Sequence, residues 1–245
     1  QYRQYQPGDP AGAIDWRQSA RSRHVFVREQ EWEAAESVWL WPDQSPSMHY
    51  RSTRRWPTKR DRTMVLTLAL AGLLVRAGER IAALGTGERP RGGQYGFNVV
   101  AQRLLEGAGV GGSSVPQQPR PRHARLVLVS DFLELPEDLA RRFAQLNAVG
   151  AEVSLLVVAD PAEESLDYRG RVLFEGLEGE GRTLIGNVGG IRGRYRELYE
   201  AQRAHLADLA RRNGWRIAWH RTDRSPESGL LTLYQMLAPR AAGRH

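Results

Sequence analysis

The sequence predicts an α/β fold, a doubly wound and mostly parallel sheet with helices on both faces. Apolar runs of strand length recur at 38–41, 81–84, 126–129, 153–158 and 215–219. They lack the alternation of half-exposed strands, which is how strands covered on both faces read. Longer helix-period segments separate them, and that alternation belongs to doubly wound folds. At 245 residues the chain suits one such domain with an elaboration.

The first 36 residues, with the strand-like His24-Val25-Phe26-Val27-Arg28, stand outside this rhythm. They are read as an N-terminal β elaboration packed on a core domain at 37–245. Within that block, Trp16 is expected in the core and Asp15 is expected to pair with Arg21 or Arg28. Asp9, Asp15 and Arg17 are not read as a catalytic set, because no nucleophile or base accompanies them.

The strand at 38–41 runs into Asp43-Gln44-Ser45-Pro46-Ser47-Met48. The next helix has Thr58 as N-cap with Asp61 three positions on, in the manner of a capping box, and stops at Gly78. It is apolar nearly all round, as a central helix is. After the strand at 81–84 comes a helix at about 97–105, then a loop at 107–122 rich in Gly, Ser, Pro and Gln, expected to be exposed and mobile. The strand at 126–129 ends at Ser130-Asp131. Pro136 suits the first position of a third helix, with Gly150 at its stop. Beyond the strand at 153–158, Val172-Leu173-Phe174 and Thr183-Leu184-Ile185 flank a Gly-rich turn, which predicts a hairpin inserted at about 171–190. That hairpin and the N-terminal segment are expected to build one added β element beside the main sheet. A helix at 195–212 carries Tyr195, Leu198, Tyr199, Leu206 and Leu209 on one stripe. The strand at 215–219 and a helix near 230–237, announced by Ser225-Pro226, complete the chain.

The formal charge of +7 comes from 34 Arg and a single Lys, Lys59, spread along the chain rather than gathered. A solvated surface explains this better than nucleic-acid binding, which calls for clustered charge or a known motif. An arginine-rich binder of nucleic acid or phosphate remains an alternative and would show a steep salt dependence. The absence of cysteine excludes disulfides, thiolate metal sites and cysteine nucleophiles, and fits a reducing, cytoplasmic setting. The longest apolar stretch, 64–75, is too short to span a bilayer and is interrupted by Thr67 and Gly72. The chain opens at Gln1, so an upstream leader or anchor is allowed for.

A carboxylate and two hydroxyls at alternate positions, Asp43, Ser45 and Ser47, can converge on one hard cation such as Mg²⁺, which takes oxygen ligands in an octahedron. In an open parallel sheet, ligands bind beyond the carboxyl ends of the strands, so Asp43 and Asp131 should reach the same edge. The alternative is that these residues only cap the turn.

These loops, together with Tyr5-Gln6-Pro7-Gly8-Asp9, Ile14-Asp15-Trp16-Arg17-Gln18-Ser19-Ala20-Arg21, Val27-Arg28-Glu29, Ser130-Asp131-Phe132, the stretch from Gly170 to Glu178, and Gly214-Trp215-Arg216 to Asp223, carry a resemblance. The chain resembles a von Willebrand factor A-type domain and, more narrowly, the bacterial family called domain of unknown function 58. That resemblance implies no enzymatic activity, a metal-ion-dependent adhesion site with Asp43, Ser45 and Ser47 as direct ligands, and Asp131 as a further one. The ion would be Mg²⁺ or Mn²⁺. It also implies a MoxR-type AAA+ ATPase and other von Willebrand factor A proteins as partners, in the assembly or maturation of clients that offer an acidic residue. The family pattern further wants a Thr before the second helix, where this chain reads Gly92-Gly93-Gln94-Tyr95-Gly96, so that ligand is missing or replaced.

Beside the proposed metal edge, Tyr50, Arg51, Arg54, Arg55 and Trp56 combine Arg with aromatics, the types enriched at interfaces, and form the candidate partner surface. Enzyme motifs are absent. There is no Gly-x-Ser-x-Gly elbow, no phosphate-binding Gly-Lys loop, and no acid two residues after Asp43 as an aspartyl-phosphate enzyme needs. His24, His49, His123 and His220 lack zinc spacing and are read as surface or satisfied core residues.

Overall fold

The computed structural model describes residues 2–4, 19, 25–28, 37–107, 124–148, 150–177, 179 and 181–238. Asp9, Asp15, Trp16, Arg17, Arg21, His24, His123 and the loop predicted beyond residue 107 lie outside the described residues. The chain divides into two compact units, Gln1–Glu36 and Ser37–His245. In the first, β1 (Tyr2–Gln4) and β2 (Phe26–Arg28) pair antiparallel, with Arg3 opposite Val27.

The second unit is the doubly wound sheet. β3 (Ser37–Pro42), β4 (Arg80–Ala83), β5 (Arg125–Ser130), β6 (Glu152–Ala159) and β9 (Arg216–Arg221) lie in the order β4-β3-β5-β6-β9, every neighbouring pair parallel. Successive residues of each strand serve opposite layers. Val38, Leu40, Ile81, Val127 and Val129 pack with Leu66 and Leu70 of α1 (Lys59–Arg76), Leu104 of α2 (Gly93–Glu106) and Leu233 of α6 (Pro226–Leu237). Trp39, Trp41, Leu126, Leu128 and Leu155 pack instead with Phe143 of α3 (Pro136–Ala148) and Leu206 of α5 (Val188–Arg212). Continuous apolar strands are the direct consequence. A five-residue helix, α4 (Pro161–Ser165), follows β6. No helix among the described residues is long and apolar enough to cross a membrane.

Several boundaries differ from expectation. α2 begins at Gly93, not near 97: the Gly96 amide already donates to the Gly92 carbonyl at 3.2 Å, and Gly96 lies against the Arg91 carbonyl, where a Cβ would come within 2.3 Å. α5 starts at Val188 rather than 195, through three glycines of poor helix propensity; Val188 is fully buried and Arg192 donates to the carbonyls of Leu166 and Tyr168. α6 starts at Pro226, directly after the Ser225 cap. The hairpin is β7 (Val172–Glu175) with β8 (Arg182–Ile185), which among the described residues pair with each other alone. Among the described residues β1 and β2 form one two-stranded sheet and β7 and β8 another.

Candidate functional site at the sheet switch point

β4 lies on one side of β3 and β5 on the other, so the strand order reverses between β3 and β5, and the carboxyl ends of these two strands flank the crevice where such sheets bind ligands. Asp43 follows β3 directly and Asp131 follows β5. The Asp43 amide continues the ladder by donating to the Val129 carbonyl at 2.8 Å, which fixes the start of the loop. Pro46–His49 then forms a short 3-10 turn with Ser45 as its N-cap.

Capping of the turn explains only some of the bonds these residues make. Asp43 does hold the turn, its Oδ1 accepting from the Ser45 amide at 2.8 Å, and its Oδ2 accepts from the Ser130 hydroxyl at 2.6 Å. The Ser45 side chain, however, makes no cap bond. Its Oγ stands 3.1 Å from Ser47 Oγ, and Ser47 Oγ donates to Asp131 Oδ2 at 2.9 Å. All four residues predicted for the site are thus brought together, with Asp43, Ser45 and Asp131 buried. Beyond Asp131 the buried Phe132 turns the chain with φ at 49°, a left-handed conformation costly for a side chain of this size.

Metal–oxygen distances near 2.1 Å put neighbouring oxygens of an octahedron about 3 Å apart. The spacings Ser45–Ser47 and Ser47–Asp131 are of this size, which is also the length of the hydrogen bonds these groups make with one another. Among the described residues the predicted set offers two carboxylates and two hydroxyls, and no group of three or more His, Cys, Asp or Glu is arranged to hold a metal.

The residue that sequence reasoning missed is Lys59. The chain's only lysine is fully buried, and its Nζ lies 2.8 Å from Asp131 Oδ2 and 2.5 Å from Glu163 Oε1. Its ammonium also faces the Tyr50 ring, 5.7 Å from the centroid. Burial works to lower the Lys59 pKa, but the charges of Asp131 and Glu163 outweigh it and hold the group above its ordinary value. Burial likewise pushes the Asp43 carboxyl up, against the pull of its bond from Ser130. Glu163 is fixed by a capping box at the start of α4: its Oε2 accepts from the Asp160 amide at 2.8 Å, while Asp160 Oδ1 accepts from the Ala162 amide. Asp160-x-x-Glu163 after a strand was the readable signal for this acid. The signal for Lys59 was compositional, one lysine among 34 arginines.

The candidate partner loop is split. Arg51, Arg54 and Arg55 are exposed, with Arg55 over the half-buried Trp56 ring. Tyr50 turns inward, its hydroxyl paired with that of Tyr168, and is a wall of the site rather than open surface. Among the histidines His49 is exposed, and the buried His220 is held by Arg62.

The model of the family described as protein of unknown function DUF58 matches residues 1–205. Uncharacterized proteins of Mycobacterium tuberculosis and Mycobacterium bovis are each 28% identical over 239 residues, covering 91% of this chain and 74% of theirs. Among solved structures, the conserved hypothetical protein BatB of Bacteroides thetaiotaomicron is 14% identical with a TM-score of 0.46, covering 82% of this chain and 98% of that one. The VWA domain of SpRpn10 is 11% identical with a TM-score of 0.44, covering 82% and 96%.

Proposed function

The chain belongs to the DUF58 family, and on that premise we propose that it is a non-enzymatic docking module whose rim site holds Mg²⁺ or Mn²⁺. Ser45, Ser47 and Asp131 would be the direct oxygen ligands; Asp43, expected as a direct ligand, has both carboxylate oxygens engaged by the Ser45 amide and the Ser130 hydroxyl, and would orient the turn and add its charge. The observation that carries this reading is that Ser47 Oγ, in the loop after β3, meets Asp131 Oδ2, after β5, at 2.9 Å, with Ser45 Oγ 3.1 Å from Ser47 Oγ. When bound, such an ion supplies an electrophilic open position that an Asp or Glu of a client completes. The exposed Arg51, Arg54 and Arg55 beside it give the positive field that draws an acidic partner in. A MoxR-type AAA+ ATPase is the proposed co-worker, in the assembly or maturation of other proteins.

A second reading, a scaffold of the same fold that no longer binds metal, is favoured by one observation: the Lys59 ammonium 2.8 Å from Asp131. Thermal unfolding with added Mg²⁺ or Mn²⁺ separates the two. The docking reading expects the ions to raise the Tm of the native protein and not of Asp43→Ala; an equal response of both proteins would leave only the scaffold.

A further inference from the structure

We infer that Lys59 is an internal counter-cation that contests Asp131 with a divalent ion and so sets how readily the site loads. The inference rests on the adhesion reading above and names what regulates that site.

The oxygen at issue is Asp131 Oδ2. Ser47 Oγ reaches it at 2.9 Å and Lys59 Nζ at 2.8 Å, so the ammonium bonds the same atom that would face an ion at the hydroxyls. Two cations sharing one carboxylate oxygen repel, and burial leaves little water to screen them. A compact ammonium with three donors fits this enclosed position, where the broad fork of a guanidinium does not. That accounts for a lysine here in a chain that uses Arg at every other cationic position. The helix does not hold it there, because Lys59 is the first residue of α1, the end at which the helix dipole disfavours a cation. The carboxylates do.

Displacement of the ammonium does not strand it. Glu163 Oε1 at 2.5 Å and the Tyr50 ring remain as partners, and the capping box keeps Glu163 in place. Asp131 can therefore exchange one cation for another while Lys59 stays buried and paired.

Mn²⁺ binding followed by the electron paramagnetic resonance of the free ion tests this on the full chain. Lys59→Met should bind Mn²⁺ at least about tenfold more tightly than the native protein, since a neutral side chain removes the competitor. Glu163→Gln, which keeps the side chain's shape but removes its charge, leaves Asp131 as the only carboxylate for the ammonium. It should bind several-fold more weakly than native, and it serves equally if Lys59→Met does not fold. Equal or weaker binding by folded Lys59→Met, or native or tighter binding by Glu163→Gln, overturns the inference. The adhesion reading then still stands so long as Asp43→Ala abolishes the native response. Binding by none of the proteins overturns both.

Discussion

Two buried cations stand three residues apart at the start of α1, and they are satisfied in opposite ways. Lys59 meets two carboxylates, Asp131 and Glu163. Arg62 meets neutral groups: its Nη2 donates to the Thr222 carbonyl at 3.0 Å, and its Nη1 donates to the Arg224 carbonyl and to His220 Nε2, the latter at 2.9 Å. Because Arg only donates, that ring nitrogen is an acceptor and His220 is neutral. A cation held by carboxylates has partners that another cation can claim. One held by carbonyls ties the loop after β9 to α1 and has no competitor of that kind. On the proposal above, this difference makes the Lys59 pairing exchangeable and the Arg62 pairing structural.

The sharpest way to break that contrast is to remove each cation in turn. Arg62→Met leaves the buried Thr222 carbonyl, the Arg224 carbonyl and the His220 ring nitrogen without this donor, and should cost about 3 kcal/mol of stability, whether or not divalent ions are present. Lys59→Met leaves Asp131 and Glu163 without a counter-charge, for a loss of about 3 kcal/mol in chelator, of which Mn²⁺ should restore a large part. Denaturant titrations with and without the ion read both. Rescue of Arg62→Met by Mn²⁺, or none for Lys59→Met, would erase the distinction.

Much of the frame behind this contrast is legible in the sequence. Strands buried on both faces announce themselves as unbroken apolar runs, and Thr58 caps α1 as its spacing with Asp61 predicts, accepting from the Asp61 amide at 3.0 Å. Asp43 and Asp131 are readable for the same reason, since each follows a strand end and parallel strands deliver their ends to one edge. Contacts that close over long separations are not readable in this way. Lys59 meets Asp131 across 72 residues and Glu163 across 104, and nothing local distinguishes it from a solvated first-turn residue. The early start of α5 is hidden likewise, because burial of Val188 and the bonds of Arg192 override the low propensity of Gly189, Gly190 and Gly193. Gly229 carries a similar concealed constraint, since a Cβ there would stand 2.9 Å from His220 Nδ1.

A smaller effect should separate the two cations by pH. Burial first, and then the Arg62 charge, lower the His220 pKa from 6.5 to about 4. Between these values the unfolded chain binds a proton that the folded state refuses. The stability contributed by the neutral ring is complete above pH 6.5 and is lost as pH falls toward 4, by about 2 kcal/mol between pH 7 and pH 5. Asp43, raised by burial, contributes with the opposite sign, so the informative quantity is the difference between the native protein and His220→Gln. A flatter profile in His220→Gln is expected; identical slopes would remove Arg62 and His220 from the account of acid sensitivity.

The smallest change tests whether the contrast belongs to the partners or to the helix end that presents both cations. Thr58→Ala deletes the cap acceptor for the Asp61 amide and should cost about 1 kcal/mol. The backbone near both cations keeps other ties, since the Lys59 amide donates to the Tyr50 carbonyl at 3.2 Å and the Arg62 amide to the Thr58 carbonyl at 3.1 Å. Mn²⁺ affinity and the pH slope should therefore both stay at native values while Tm falls. A change in Mn²⁺ affinity of more than about twofold in Thr58→Ala would mean that the two sites are coupled through the start of α1, and that the carboxylates alone do not decide which cation Asp131 holds.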